Sequence, residues 1–378
     1  MKKIQMVDLV GQYHHIKEEV DAAIHGVMES AAFINGPEVK QFQSEFEKYL
    51  RVRHVIPCAN GTDALQMAMM ALGLKPGDEV ITSSFTFVAT AEVIALLQLK
   101  PIVVDVDPDH FNIDIKSLER AITPNTKAIV PVHLFGQMAD MESIMDLAKR
   151  HNLYVIEDAC QAVGAEYTFS DGNKSMAGTI GDIGATSFFP SKNLGCFGDG
   201  GAIFTNNDDL AEKLRVIANH GMKVRYYHDA IGVNSRLDSI QAAVLRIKLR
   251  RLNEYNNLRK SAADFYDRAF SSNIHLKVPS RYKKSTHVFH QYTLVTSGID
   301  RFALQDFLLK KDVPAMVYYP VPLHMQKAYL DDRYQEGDFP ITEDLCKTVI
   351  SLPMHTELDE EQLEYIASAV LEFVNKKT

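Results

Sequence analysis

A few short runs gather the residue types that do chemistry. In Ala59-Asn60-Gly61-Thr62-Asp63-Ala64-Leu65 an apolar strand-like stretch, Val55–Ala59, gives way to an apolar helical pattern. Glycine lets backbone N–H groups come close to a ligand, and Thr62 can cap the helix and offer its hydroxyl. A helix start carries partial positive charge and unsatisfied N–H donors, which suits a phosphate. A plain capped turn has the same composition. The second run, Ile156-Glu157-Asp158-Ala159-Cys160-Gln161-Ala162, sets two acids at the end of the apolar stretch Tyr154–Ile156. Ligands of open α/β sheets bind beyond strand C-termini, where a carboxylate can accept a hydrogen bond from a protonated ring nitrogen. The third, Ser187-Phe188-Phe189-Pro190-Ser191-Lys192-Asn193-Leu194-Gly195, puts a lysine in a loop behind an apolar strand. Buried, such an amine loses its charge more easily and becomes a nucleophile. The glycines that follow, Gly198 to Gly201, lead into a strand-like run and not a helix, which argues against a dinucleotide fingerprint.

Each run alone is weak. In this order, over one α/β stretch, they are the parts that a pyridoxal phosphate site requires. A cup anchors the phosphate, an acid keeps the pyridine nitrogen protonated, and a lysine holds the aldehyde as a Schiff base and later moves protons.

The elements that must position them follow from alternation. Val55–Ala59, Glu79–Thr82, Ile102–Val106, Ala128–Val132, Tyr154–Ile156, Ala185–Phe189 and Gly201–Phe204 read as strands. Helical patterns fall between several of them, at Ala64–Leu74, Ala89–Leu97, Ile115–Ile122 and Met141–His151. Nearly continuous apolar strands alternating with helices predict a mostly parallel sheet covered on both faces. After Asn206 the pattern turns helical through Ser239–Leu252 and Asn253–Phe270. An α+β segment follows, with strands expected at Thr286–Val295 and Ala315–Tyr319 and helices at Asp300–Lys311 and Asp359–Asn375. Asp300 is a plausible N-cap. The expected division is a large cofactor-binding domain over 1–250 and a small C-terminal domain over 251–378.

Composition bounds the rest. The chain has 378 residues, 46% hydrophobic and 24% charged, which fits a globular protein with a sizeable core. A net charge of −9 argues against a nucleic-acid or anionic-membrane surface, while leaving room for a local phosphate pocket. Cys58, Cys160, Cys196 and Cys346 are far apart and form no C-x-x-C pair, so free thiols in a reducing compartment are expected. The N-terminus shows no secretory apolar region, and no apolar run approaches the ~20 residues of a membrane span, so a cytoplasmic protein is expected. No metal site is expected. His220 and His228 are eight apart and lack the i, i+4 zinc pattern.

The runs Asn60-Gly61-Thr62-Asp63-Ala64-Leu65, Glu157-Asp158-Ala159-Cys160-Gln161, Ser187 to Gly195 and Gly232-Val233-Asn234-Ser235-Arg236-Leu237-Asp238 together resemble the DegT-type nucleotide-sugar aminotransferases. The resemblance extends from Val7-Asp8-Leu9 to Ser351-Leu352-Pro353-Met354-His355. It implies the aspartate-aminotransferase-like fold type I and pyridoxal 5'-phosphate as cofactor. Lys192 would join the cofactor and shuttle the proton of the 1,3-shift. Asp158 would pair with the pyridinium nitrogen and Gln161 with the ring hydroxyl. Gly61, Thr62 and Ser187 would hold the phosphate. Asn234 would reach the phosphate bound by a neighbouring subunit, making a homodimer with shared sites necessary. Phe87 takes the position of an aromatic ring against the cofactor face, without the polar handle that tyrosine or tryptophan gives many relatives. Related sugar dehydratases carry histidine where this chain has Lys192, so transamination is favoured.

The resemblance implies L-glutamate as donor and a nucleotide-linked keto sugar as acceptor. Phe188 to Gly201 and Asn219 to His228 look most like the branch that aminates C3 of a UDP-linked 2-acetamido-2-deoxy-3-oxo-glucuronate, in lipopolysaccharide O-antigen pathways. A uronate needs a cation, and arginine binds a carboxylate with two parallel hydrogen bonds. Arg225, Tyr227, His228, Arg236, Tyr319 and His324 are the candidate substrate residues; for the charged loop 223–228 a solvated surface is the competing reading. Amination of a dTDP- or GDP-linked deoxy sugar at C3 or C4, an idle cofactor-binding sensor or scaffold, and an ordinary amino-acid aminotransferase are the other readings.

Overall fold

The computed structural model describes residues 2–376; Met1, Lys377 and Thr378 lie outside the described residues. All seven stretches read as strands enter one sheet, in the order His54–Cys58, Gly201–Thr205, Ile183–Ser187, Tyr154–Asp158, Thr126–Ile129, Glu79–Ser83 and Lys100–Val104. Gly201–Thr205 runs antiparallel to both neighbours, and every other adjacent pair is parallel. Glu79–Ser83 and Gly201–Thr205 are buried at every position, so their apolar residues fall on both faces without strict alternation.

Helices cover both faces. Gly61–Ala71, Ala89–Leu96 and Asp208–Ala218 pack one core against the sheet, with Met67, Val93, Ile94 and Leu214 fully buried. Ile115–Ala121 and Met141–His151 pack the other face through Leu118, Ile144 and Leu147. Burying a side chain of this size stabilises the fold by about 1.5–3 kcal/mol, so these cores dominate the placement of the strand ends. Before the sheet come two helices, Leu9–Ser30 and Pro37–Leu50, packed on Ser239–Leu249.

Leu252–Phe270, Arg301–Lys310 and Glu360–Asn375 surround a short antiparallel sheet of Leu276–Lys277, Tyr292–Thr296 and Val349–Leu352. Ile4, near the start of the chain, belongs to this second core. Asp300 caps its helix as expected, accepting from Phe302 and Ala303 N–H groups. Two expectations fail here. Ala315–Tyr319 is not a strand, because only Met316 bridges Ser351, and Pro314, Pro320 and Pro322 around it remove the N–H donors a ladder needs. Val349–Leu352 takes the sheet position instead. The strand expected over Thr286–Val295 starts only at Tyr292, because Ser285 and His287 bridge to Tyr167 and Gln137 of the large sheet's loops.

Candidate active site

His54–Cys58, Tyr154–Asp158 and Ile183–Ser187 point the same way, so their C-terminal ends share one edge of the sheet. That edge gathers the three chemical runs. After Cys58 the chain turns at Asn60 and the helix Gly61–Ala71 begins. Asn60, not Thr62, is the N-cap: its side-chain oxygen accepts the Asp63 N–H at 2.8 Å. An N-cap must stand outside the helix, and Thr62 is already its second residue. That leaves the first N–H groups of the helix without intrahelical partners, as an anion site requires. A Cβ on Gly61 would lie 2.7 Å from Ser187 Cβ and 3.0 Å from Cys160 Sγ. Glycine is therefore what lets the helix start sit directly against the end of Ile183–Ser187, and Gly61, Thr62 and Ser187 form one cup.

Asp158 is the last residue of its strand and is buried. Thr90, in the first turn of Ala89–Leu96, donates its hydroxyl to Asp158 Oδ2 at 2.8 Å, and the Cys160 N–H donates to Oδ1 at 3.2 Å. These two hydrogen bonds fix the direction of the carboxylate. Lys192 lies in a turn after Ser187, with its own N–H donated to Phe189 O at 2.8 Å. Burial pulls the Lys192 amine below the ordinary lysine value, with the Cys160 thiol and the Asp158 charge acting the other way. The amine and the acid thus face the same space. Burial also keeps Cys160 a neutral thiol, well above its usual range.

Gln161 is buried and already engaged on one side. Its oxygen accepts the Phe135 N–H at 2.8 Å, and its Nε2 donates to Tyr319 Oη at 3.1 Å. One Nε2 proton stays available. Tyr319 stacks on Phe135 with centroids 6.5 Å apart and lies 6.2 Å from Phe87, whose ring is 55% exposed. These rings make an aromatic wall with Phe87 at its open end. Beside Phe87, the buried Thr86 hydroxyl has no partner within the protein.

The remaining candidates do not join this cluster. Arg225, Tyr227 and His228 sit on an exposed hairpin of Met222–Val224 and Tyr227–His228. Arg225 covers the Tyr226 ring at 5.0 Å, and His228 Nδ1–H donates to His220 O at 2.8 Å. Asn234 is exposed, next to Ser235, whose hydroxyl accepts the Ala59 N–H at 3.0 Å behind the cup. Arg236 is half-buried. His324 is 3% exposed, its Nδ1 bonded to Ser84 Oγ at 2.8 Å and its Nε2 to Glu343 Oε1 at 3.2 Å. Both ring nitrogens are thereby used, so His324 ties the Ser84 loop to the helix Pro340–Thr348 and has no nitrogen to offer a substrate. Sequence reasoning missed Asn60, Thr90 and Phe135. A lone hydroxyl inside the apolar helix Ala89–Leu96 was the available signal for Thr90.

Among the described residues no cluster of three or more His, Cys, Asp or Glu side chains is placed to hold a metal, and no helix is long and apolar enough to cross a membrane. A model of the DegT/DnrJ/EryC1/StrS aminotransferase family matches residues 14–371. The chain is 47% identical to a protein of Geobacillus stearothermophilus named pleiotropic regulatory protein, over 98% of both. It is 44% identical to UDP-2-acetamido-2-deoxy-3-oxo-D-glucuronate aminotransferase of Pseudomonas aeruginosa, over 97% of this chain and 99% of that one. DesV of S. venezuelae, solved in complex with a ketimine intermediate, superposes with a TM-score of 0.94 at 38% identity, covering 99% of each chain.

Proposed function

The chain belongs to the DegT/DnrJ/EryC1/StrS aminotransferase family, and from that membership we propose that it moves an amino group from L-glutamate to C3 of a nucleotide-linked keto sugar for surface-polysaccharide synthesis. The observation that carries the reading is the meeting, at one edge of the sheet, of a Lys192 amine whose charge burial disfavours and an Asp158 carboxylate oriented by Thr90. The cofactor is pyridoxal 5'-phosphate. The residues fit it: a glycine-backed cup of free N–H groups, a doubly held acid, an aromatic wall and the unpartnered buried Thr86 hydroxyl.

When bound, the cofactor supplies an aldehyde for exchange with amines and a ring that accepts the electrons of a broken C–H bond. The chain's own groups do the rest. Gly61 and Thr62 N–H groups with the Thr62 and Ser187 hydroxyls would bind the phosphate. Asp158 Oδ atoms accept from the ring nitrogen and keep it protonated. The free N–H of Gln161 Nε2 would donate a hydrogen bond to the ring hydroxyl. Phe87 covers one ring face. Lys192 Nζ, uncharged more readily than a surface lysine, takes the proton from the donor's α-carbon and later delivers one to the sugar carbon.

The substrate assignment draws on the Pseudomonas aeruginosa relative, named for a UDP-linked 3-oxo-glucuronate. Arg225 would bind the uronate carboxylate, with Tyr227, His228, Arg236 and Tyr319 lining the sugar. The exposed hairpin and Asn234 fit a reach into a second copy's site, so the working unit would be a homodimer. Lys192→Ala is expected to abolish both the visible-edge absorbance of the loaded enzyme and all turnover. A Lys192→Ala protein that still transaminates would sink the assignment. A panel of UDP-, dTDP- and GDP-linked keto sugars with glutamate tests the acceptor. Bound cofactor without amino exchange on any of them would favour a sensor.

A further inference from the structure

The turn that carries Lys192 belongs to no helix or strand, so something else must hold its amine in register with Asp158. Within Pro190–Gly195 the buried polar side chain is Asn193, 6% exposed. Both of its amide protons are used. Nδ2 donates to Asn256 Oδ1 at 2.8 Å and to Val288 O at 2.9 Å. Asn256, on Leu252–Phe270 and 8% exposed, turns its own Nδ2 to Val163 O at 3.2 Å. Val163 ends the turn that begins at Asp158 and contains Gln161. The fit there is close. Gly164 has φ +92°, and a Cβ on it would lie 2.4 Å from Asn256 Nδ2. One turn further along the helix, Arg259 NH1 donates to the carbonyls of Phe289, His290 and Met354. Asn193 and Arg259 thus take three consecutive carbonyls, 288 to 290, between them.

We propose that Asn256, acting through Asn193, is a positioning residue that fixes the arm carrying Lys192 against the arm carrying Asp158 and Gln161. A single carboxamide on a distant helix touches both arms from behind, accepting from one and donating to the other. It reaches neither the cofactor nor the reacting atoms. The groups facing Lys192 are Asp158 and Cys160 from the acid arm and His290 from the far side, itself beside Arg259. His290 is buried beside these cations and stays neutral, so the balance at the amine is set by burial and by the acid arm. Letting the two arms part would admit water to the amine and move it away from the Asp158 charge.

The test rests on Lys192 being the reacting amine, but its first readout needs no cofactor, so the two ideas fail separately. Competitive acetylation of the cofactor-free protein across pH, followed at the Lys192 peptide by mass spectrometry, reports the amine's own titration. Asn256→Ala and Asn193→Ala should move that titration up toward an ordinary lysine. In the loaded enzyme kcat should fall by up to about 100-fold with KM nearly unchanged, as for a misplacement of about an ångström. Asn256→Asp keeps an acceptor for Asn193 and should recover part of the loss. Asn253→Ala, which removes only the exposed Tyr49–Asn253 bond of the same helix, should change none of these. If Asn256→Ala does not fold, Asn193→Ser is read by the same titration. Lys192 profiles that overlay the wild type in the folded Asn256 or Asn193 variants overturn the proposal.

Discussion

Asp158 has one neutral donor on each oxygen, and only Thr90 Oγ1 supplies a side chain. The pair is buried, so losing that donor leaves a lone pair that water replaces poorly. Thr90→Val keeps the shape and removes the hydroxyl. Cofactor affinity is expected to fall about 10-fold, since a hydrogen bond to a charged group contributes about 1.5–3 kcal/mol and part is recovered by reorientation. Thr90→Ser should keep most of it. Equilibrium dialysis of the cofactor measures both, and equal affinity in Thr90→Val would remove Thr90 from the site. Lys192, Asp158 and Ser187 were legible because each stands at or just past the end of an apolar strand. Thr90 was not, because a threonine in an apolar helix is usually a packing residue. His324 misled for the opposite reason: a histidine in a proline-rich loop looks exposed, and its burial comes from Glu343 and Ser84, which are remote in sequence.

The helix Gly61–Ala71 separates two roles that the sequence run merges. Asn60 caps the helix, and Thr62 lies inside it with its N–H free. Asn60→Ala is expected to cost about 1 kcal/mol of stability, seen as a lower urea midpoint of the cofactor-free protein. Thr62→Ala should leave that midpoint nearly unchanged and weaken phosphate retention. The reverse pattern would return the cap to Thr62. The strands of the large sheet were readable because their central residues are buried and apolar, even where the ends carry His54, Glu79 or Lys100. Val349–Leu352 was hidden because it follows Pro340–Thr348 without a turn residue to mark its start. The first two helices were not foreseen, since Leu9–Ser30 has polar residues on most of its surface and owes its place to packing on Ser239–Leu249.

At the scale of the molecule, the two cores meet through the segment 285–290 and through Arg259, and buried histidines cluster there. Burial, with Arg281 second, pulls His287 down to about 3; burial, with Arg259 second, pulls His355 down to about 4. His290 is lowered in the same direction by burial and by Lys192. In the unfolded chain a histidine takes up its proton near 6.5, while in the folded protein these stay neutral. The unfolded state therefore binds more protons below about pH 6.5, and stability falls as pH drops from there to about 4. Urea midpoints should decline steadily across pH 6.5 to 4. A flat profile down to pH 5 would show that these rings are solvated. The sequence suggested two bodies divided near residue 250. It did not suggest that Ile4 packs with residues beyond 260, because a lone apolar residue carries no address.

The bonds that finish the pocket are long in sequence: 158 residues separate Gln161 from Tyr319, and 63 separate Asn193 from Asn256. A ribosome makes the cup, the acid and the lysine first. A nascent chain halted after Thr205 would carry Gly61, Asp158, Gln161 and Lys192, yet neither the Tyr319 hydroxyl that bonds Gln161 nor the Asn256 carboxamide that bonds Asn193. The pocket is therefore completed last, once the helix Leu252–Phe270 and Tyr319 have both been made.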